Sequence, residues 1–138
     1  MTVTRVLIVD DVAQVRRDLS TILNLTGELE IVGEAVNGLE AIRLAESLKP
    51  DVILMDLEMP VMDGYESTRQ IKAHYPSCRV VVLTVHDYKS ARAEAHESGV
   101  DAFLVKGTSV ENIVQTIVKN VPQVKSSEVT NREKPVGR

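Results

Sequence analysis

Residues 52–64 read VILMDLEMPVMDG. Four apolar residues run straight into Asp56, and Glu58, Pro60, Asp63 and Gly64 follow. A carboxylate at the end of an apolar run is costly to bury without a partner or a metal. Asp56 is therefore either a loop acid already in water or a group placed there to react. The run itself is one of five. RVLIV (5–9), EIVGEAV (30–36), DVILM (51–55), RVVVLT (79–84) and AFLV (102–105) recur along the chain. Four of them are nearly continuous rather than alternating, as in strands buried on both faces of a parallel sheet. The second alternates more and reads as nearer an edge.

Helical spacing fills the gaps between the runs. Val12, Val15, Leu19, Ile22 and Leu23 form a stripe over 12–25, with Gly27 as its stop. Ala41, Ile42, Ala45 and Leu48 form another over 38–48, opened by Asn37 and Glu40 at capping-box spacing. Tyr65, Thr68, Ile71 and Tyr75 share a face over 64–74, which Pro76 closes. YKSARAEAHESG is polar and alanine-rich and carries the weakest helical pattern. Val110, Ile113, Val114, Ile117 and Val121 make a strong stripe over 109–121, with Thr108 and Glu111 at capping-box spacing. Strand and helix thus alternate five times. The pattern implies an α/β fold: a parallel sheet with helices on both faces and right-handed crossovers. Residues 1–122 read as one domain, and 123–138, poor in apolar residues and aperiodic, as a flexible tail or linker.

Composition narrows the function. The chain has 138 residues, 43% hydrophobic and 26% charged, with a formal net charge of -4. That balance, 3% aromatic residues and the lack of a basic recognition helix argue against direct nucleic-acid binding. No apolar stretch reaches the length of a membrane span, and MTVTRVLIVDD is not a signal peptide. Cys78 is the single cysteine and cannot form an internal disulfide, so a cytoplasmic location is expected.

Ligands of doubly wound sheets bind beyond the carboxyl ends of the strands. Asp10 and Asp11 follow the first run and Asp56 the third; Thr84 ends the fourth and Lys106 follows the fifth. Two carboxylates about 5 Å apart repel by roughly 3 kcal/mol at an effective dielectric of about 20. Three need a cation, and oxygen donors with a sparse protein shell suit a hard ion such as Mg²⁺. A metal, a lysine and a hydroxyl together make a place for a phosphoryl group, and a carboxylate among them can be the nucleophile.

The acidic pair VDD, the segment MDLEMPVMDG, the LT ending the fourth run and FLVKG after the fifth, in that order, resemble the receiver domain of bacterial two-component response regulators. The resemblance covers residue 5 to about 121. It implies a flavodoxin-like (βα)₅ fold with strand order 2-1-3-4-5. It implies that Asp56 accepts a phosphoryl group from a sensor histidine kinase and that the domain modifies itself rather than a separate substrate. Asp10 and Asp11 would hold Mg²⁺, with Asp11, Asp56 and the backbone carbonyl of Glu58 as direct ligands. Lys106 would contact the phosphoryl group, Thr84 would move to bond it, and Phe103 would be the aromatic switch that follows Thr84. LTVHD and AFLVKGTS are similar to receivers of LuxR/NarL-type regulators, whose output is a C-terminal helix-turn-helix DNA-binding domain. The alternative is a stand-alone regulator acting through protein contacts. The resemblance also implies homodimer formation on phosphorylation, through the fourth and fifth helices or the first and fifth.

Plainer readings compete at single positions. Asp10 and Asp11 could cap the first helix, and Asp63 is assigned wholly to capping and turn formation. The resemblance makes Glu58 and His86 tuners of phosphoryl lifetime. Glu58 reads equally well as a solvent-facing loop residue, and His86 reads better as an exposed loop histidine than as a general base. His74 and His96 read as solvated, Cys78 as structural, and Met55, Met59 and Met62 as packing. A flavin carrier of the same architecture would need a phosphate loop where the chain has DDVAQVRR. A free-standing Mg²⁺ phosphatase would need substrate-pocket loops that the sequence lacks.

Overall fold

The computed structural model describes residues 3–119. The elements follow in the order β1 (Thr4–Val9), α1 (Ala13–Leu25), β2 (Leu29–Ala35), α2 (Gly38–Leu48), β3 (Val52–Met55), α3 (Gly64–His74), β4 (Arg79–Thr84), α4 (Lys89–Ser98), β5 (Ala102–Val105) and α5 (Val110–Lys119). All five strands pair in parallel in the order β2-β1-β3-β4-β5. The doubly wound (βα)₅ architecture is as the sequence implied. The 123–138 segment and Val121 of the last stripe lie outside the described residues.

Continuous apolar strands bury both faces. Val6, Ile8, Leu54, Val81 and Leu83 pack with Leu23 of α1 and Ile113, Val114 and Ile117 of α5. Leu7, Val9, Ile53, Met55 and Val80 pack on the other face with Ala41 and Ala45 of α2 and Ile71 of α3. A third cluster, Leu57, Val82 and Ala91, carries α4, with Tyr65 and Phe103 at its margin. Burying a Val, Leu or Ile side chain contributes about 1.5–3 kcal/mol, so the two faces hold the sheet rigid where the site is built.

The edges depart from the pattern in one respect. β2, the alternating run, is an edge as expected, and its register with β1 slips between Val6 and Leu7, where Val32 is the extra residue. β5 is the other edge, as the implied order 2-1-3-4-5 places it, although its continuous run AFLV by itself reads as buried on both faces. Its four residues are only half buried, because a short outer strand has one neighbour and incomplete helix cover.

Helix ends test the capping expectations. The Asn37 side chain accepts from the Glu40 amide at 2.8 Å, and Glu40 accepts from the Val36 amide at 2.7 Å. Asp63 accepts from the Glu66 amide at 2.9 Å. Gly27 follows α1 with φ +78, the left-handed conformation that stops a helix. The last helix corrects the reading. Ser109, not Thr108, is its cap and accepts from the Asn112 amide at 3.0 Å, while Thr108 accepts from the Asn112 side chain at 2.8 Å. In α1, Val12 is the N-cap and is half exposed rather than part of the buried stripe; Ile22 is also exposed. The Asp10 carboxylate takes the Val12 amide at 2.9 Å, which keeps Val12 extended and off the helix face.

Candidate functional site

Register brings the acids together. Val9 pairs with Met55 across β1 and β3, so the next residues, Asp10 and Asp56, emerge side by side at the carboxyl edge. The Asp56 amide donates to the Val9 carbonyl at 3.0 Å. On the far side Thr84 pairs with Val105, and the Lys106 amide donates to the Thr84 carbonyl at 2.8 Å. Strand neighbours thus deliver four of the five expected groups, and Asp11 comes with Asp10.

Carboxylate oxygens of Asp10, Asp11 and Asp56 lie within 4.8 Å of one another. Asp10 and Asp56 are 2% and 8% exposed, and Asp11 faces solvent. Lys106 Nζ donates to Asp10 Oδ2 at 2.7 Å and to Asp56 Oδ2 at 3.5 Å. The other oxygen of each buried acid is held by backbone: Val12 donates to Asp10 and Leu57 to Asp56, the latter at 2.8 Å. Asp10 is therefore fully engaged, whereas Asp11 makes no hydrogen bond or ion pair among the described residues. The simple capping role for the pair is not what is found: Asp10 closes a turn ahead of the helix, and Val12, the cap position, has no side-chain cap.

Charge and burial oppose each other here. Burial pushes the Asp56 carboxyl above its ordinary value; the Lys106 charge and the Leu57 amide pull it back, Asp10 pushes it up again, and Thr84 lowers it slightly. Burial alone would lower Lys106, but its hydrogen bond to Asp10 and the Asp56 charge outweigh that and raise it. The lysine stays charged and offsets one of three negative charges. The cluster is still short of positive charge, and its donors are all oxygen.

The loop after β3 is shaped by close backbone approach. The Gly64 amide donates to the Leu57 carbonyl at 2.8 Å, and a Cβ at Gly64 would lie 2.2 Å from the Asp56 carbonyl oxygen. Only glycine fits, which explains the DG that ends the quoted segment.

Thr84 is fully buried, and its hydroxyl accepts from the His86 amide at 3.1 Å. Phe103 lies on the α4 side of β5, half buried beside Val82 and Ala91, with the Arg92 guanidinium 4.5 Å from its ring centre. Glu58 and His86 meet: His86 Nε2 is 3.4 Å from Glu58 Oε1, and its Nδ1 is 3.0 Å from the Tyr88 hydroxyl. His86 is thus half buried between two loops, not the exposed histidine expected, because Glu58 and Tyr88 flank both ring nitrogens. His74 and His96 are exposed. Cys78 is buried, and burial pushes its thiol up to about 11, consistent with an inert structural role.

Residues 6–118 match the response regulator receiver domain family. The chain is a response regulator receiver domain. It is 43% identical over 115 residues to the response regulator protein VraR of Staphylococcus saprophyticus, an alignment covering 83% of this chain and 55% of that protein. Two solved structures superpose well. A LuxR-family DNA-binding response regulator of Staphylococcus aureus has a TM-score of 0.80 at 32% identity, covering 85% of this chain and 98% of that one. The signal receiver domain of the response regulator NarL of Mycobacterium tuberculosis has 0.82 at 30%, covering 86% and 96%. The chain spans about half the length of the curated relatives it matches. The receiver is homologous to LuxR/NarL-type receivers, and no helix of its described residues is long and apolar enough to cross a membrane.

Two neighbours of the receiver's acid cluster escaped the sequence reading. Arg16 Nη1 donates to the Asp10 backbone carbonyl at 2.7 Å, and Arg16 Nε donates to Glu34 at 3.2 Å. The available signal was a cation one turn into a helix, where the helix dipole disfavours it.

Proposed function

We propose that Asp56 is the phosphoacceptor of this receiver and that Mg²⁺ is its cofactor. The observation that carries the reading is the convergence of three carboxylates and one lysine at the carboxyl edge. Asp56 would attack the phosphorus of a phosphohistidine on a sensor histidine kinase. A P–O bond forms to the carboxylate, the P–N bond breaks, and the electron pair leaves with the imidazole nitrogen. Burial that raises the Asp56 carboxyl marks a carboxylate under-solvated in its ionised form, which favours reaction.

The donor set fits a hard divalent ion. Asp11 and Asp56 would hold it with the backbone carbonyl of Glu58. Asp10, with both oxygens engaged by protein donors, would act from behind, through water or through Lys106. When bound, Mg²⁺ offsets charge on the phosphoryl oxygens. Lys106 would turn from Asp56 to a phosphoryl oxygen, and Thr84 would donate its hydroxyl to another. Thr84 then gives up its bond from His86, and Phe103 follows it inward. The added charge of about −2 shifts a two-state balance in the α4–β5–α5 face. Glu58 and His86 would tune the lifetime of the phosphoryl group together, since they touch.

Output through a DNA-binding domain on the same polypeptide is favoured by the alignment covering only 55% of the relative VraR, which leaves the other part of that protein outside the receiver. Pairing of two receivers on phosphorylation and a cytoplasmic location belong to the same reading. A stand-alone regulator acting by protein contacts is the alternative.

Intact mass after incubation with acetyl phosphate tests it. Wild type with Mg²⁺ should gain about 80 Da, the mass of one phosphoryl group. Wild type without Mg²⁺ and Asp56→Asn should not. Equal labelling of Asp56→Asn overturns the assignment.

A further inference from the structure

We propose that Arg16 is a positioning residue of the acid cluster, setting the plane of the Asp10–Asp11 peptide unit from which two of its three carboxylates depart. The inference rests on reading that cluster as a divalent-cation site.

The guanidinium is held at both ends. Arg16, at the end of the first turn of α1, donates from Nη1 to the Asp10 carbonyl at 2.7 Å and from Nε to Glu34 Oε1 at 3.2 Å. Ser20, one turn further along α1, donates to the other Glu34 oxygen at 3.0 Å. The Arg16 side chain is only 14% exposed. A planar fork gripped this way has one orientation.

Both backbone groups of Asp10 are consequently tied to β2. Its amide donates to the Ala35 carbonyl at 3.1 Å, and its carbonyl is reached through Arg16 from Glu34, the residue before. That carbonyl lies in the peptide plane shared with Asp11. Rotating the plane re-aims the Asp11 side chain, which has no bond of its own among the described residues to hold it. The direction of Asp11 is therefore inherited from a backbone that Arg16 fixes.

Charge is not the means. Glu34 neutralises the guanidinium at contact distance, so the pair delivers little net field to the acids. Arg16 differs in this from Lys106, which touches the carboxylates themselves. Glu34 also offsets the unfavourable placement of a cation near a helix N-terminus.

The test titrates Mn²⁺ alone into the unphosphorylated chain and reads free ion by electron paramagnetic resonance. The variants are Arg16→Gln, Arg16→Lys and Asp11→Asn, each checked by circular dichroism. Outer residues that orient metal ligands typically cost about 10–100-fold in affinity when lost. Arg16→Gln should weaken Mn²⁺ binding about tenfold, and Arg16→Lys, which keeps the cation but not the fork, should fall between it and wild type. In acetyl phosphate labelling, the half-saturating Mg²⁺ concentration should rise more than the maximal rate falls. Wild-type affinity in a folded Arg16→Gln overturns the proposal. If Arg16→Gln does not fold, wild-type affinity in Arg16→Lys overturns it instead. A wild type that binds no Mn²⁺, with Asp11→Asn indistinguishable from it, defeats the cation-site reading and this inference with it.

Discussion

Lys106 stands closer to Asp10 than to Asp56: its ammonium is 2.7 Å from Asp10 Oδ2 and 3.5 Å from the nearest Asp56 oxygen. The lysine is therefore the lasting partner of the buried acid and only a loose partner of the acid proposed to react. That geometry leaves Asp56 free to change charge without stranding Lys106.

Removing the lysine should cost stability before it costs chemistry. Lys106→Met leaves Asp10, 2% exposed, beside two other carboxylates with no cation. Breaking one partner of a buried pair costs about 3–5 kcal/mol, and partial exposure of the lysine brings the expected loss to about 2–3 kcal/mol. Urea unfolding should show it, and Asp10→Asn in the same chain should restore part of it. Millimolar Mg²⁺ should restore part as well, since a ligand of the folded state stabilises by mass action. A loss below about 0.5 kcal/mol, the value for surface pairs, would contradict the arrangement. The Lys106 ammonium is raised above its ordinary value of 10.5. Its contribution is then complete below that value and is lost as pH rises through the higher folded value.

Neutralising Asp56 should do the opposite. Its carboxyl is raised above 3.8 by burial, so the folded state prefers it protonated. The stabilising effect of protonation is full below 3.8 and is lost as pH rises through the folded value. At pH 7 wild type therefore carries a charge that weakens the fold. Asp56→Asn should stabilise it by about 1 kcal/mol, roughly 3–5 °C in Tm for a chain of this length. The gain should shrink as pH falls toward 4. An Asp56→Asn protein that melts lower at pH 7 would contradict this account.

The parts of this site legible in the sequence are those set by strand ends. Each continuous apolar run stops where its chain leaves the sheet, so Asp10, Asp56, Thr84 and Lys106 could be placed on one edge without coordinates. Lateral contacts were not legible. Nothing in periodicity relates Glu58 to His86, or Arg16 to the Asp10 carbonyl, because those pairs depend on how loops and helices cross the edge. The partial burial of β5 was not legible in its run for a similar reason: the implied order 2-1-3-4-5 puts β5 at an edge, but AFLV is apolar throughout, and burial depends on neighbours that a run cannot reveal. The α5 cap was missed by one residue because Thr108 and Ser109 are both hydroxyl residues with an acceptable partner three positions on.

That near miss is itself testable. Ser109 bonds the Asn112 amide, an otherwise unsatisfied donor of the first turn, whereas Thr108 meets only an exposed side chain. Ser109→Ala should cost about 1 kcal/mol, the usual value of an N-cap. Thr108→Ala should cost no more than about 0.5 kcal/mol, as at other surface sites. Thermal unfolding of the two variants decides between the caps; the reverse order would return the role to Thr108.

The loop that carries Asp56 holds two backbone positions with opposite expectations. Gly64 has no room: a Cβ there would press to 2.2 Å from the Asp56 carbonyl oxygen, against backbone that cannot yield without moving the acid. Val61, three residues earlier, has φ +71, a conformation rare for a β-branched residue, and is 78% exposed. The Met62 amide donates to the Pro60 carbonyl at 2.8 Å across it, the bond of a strained three-residue turn. Val61→Gly should therefore relieve strain and stabilise by about 1 kcal/mol, reduced somewhat by the greater freedom of glycine in the unfolded chain. Gly64→Ala should destabilise by more than about 2 kcal/mol and lower acetyl phosphate labelling, because Asp56 is displaced with its carbonyl. Equilibrium unfolding and labelling rate on the same two proteins separate strain that the loop merely tolerates from close packing that the acid requires. A Gly64→Ala protein that labels like wild type would show that the Asp56 carbonyl can move without taking the carboxylate with it.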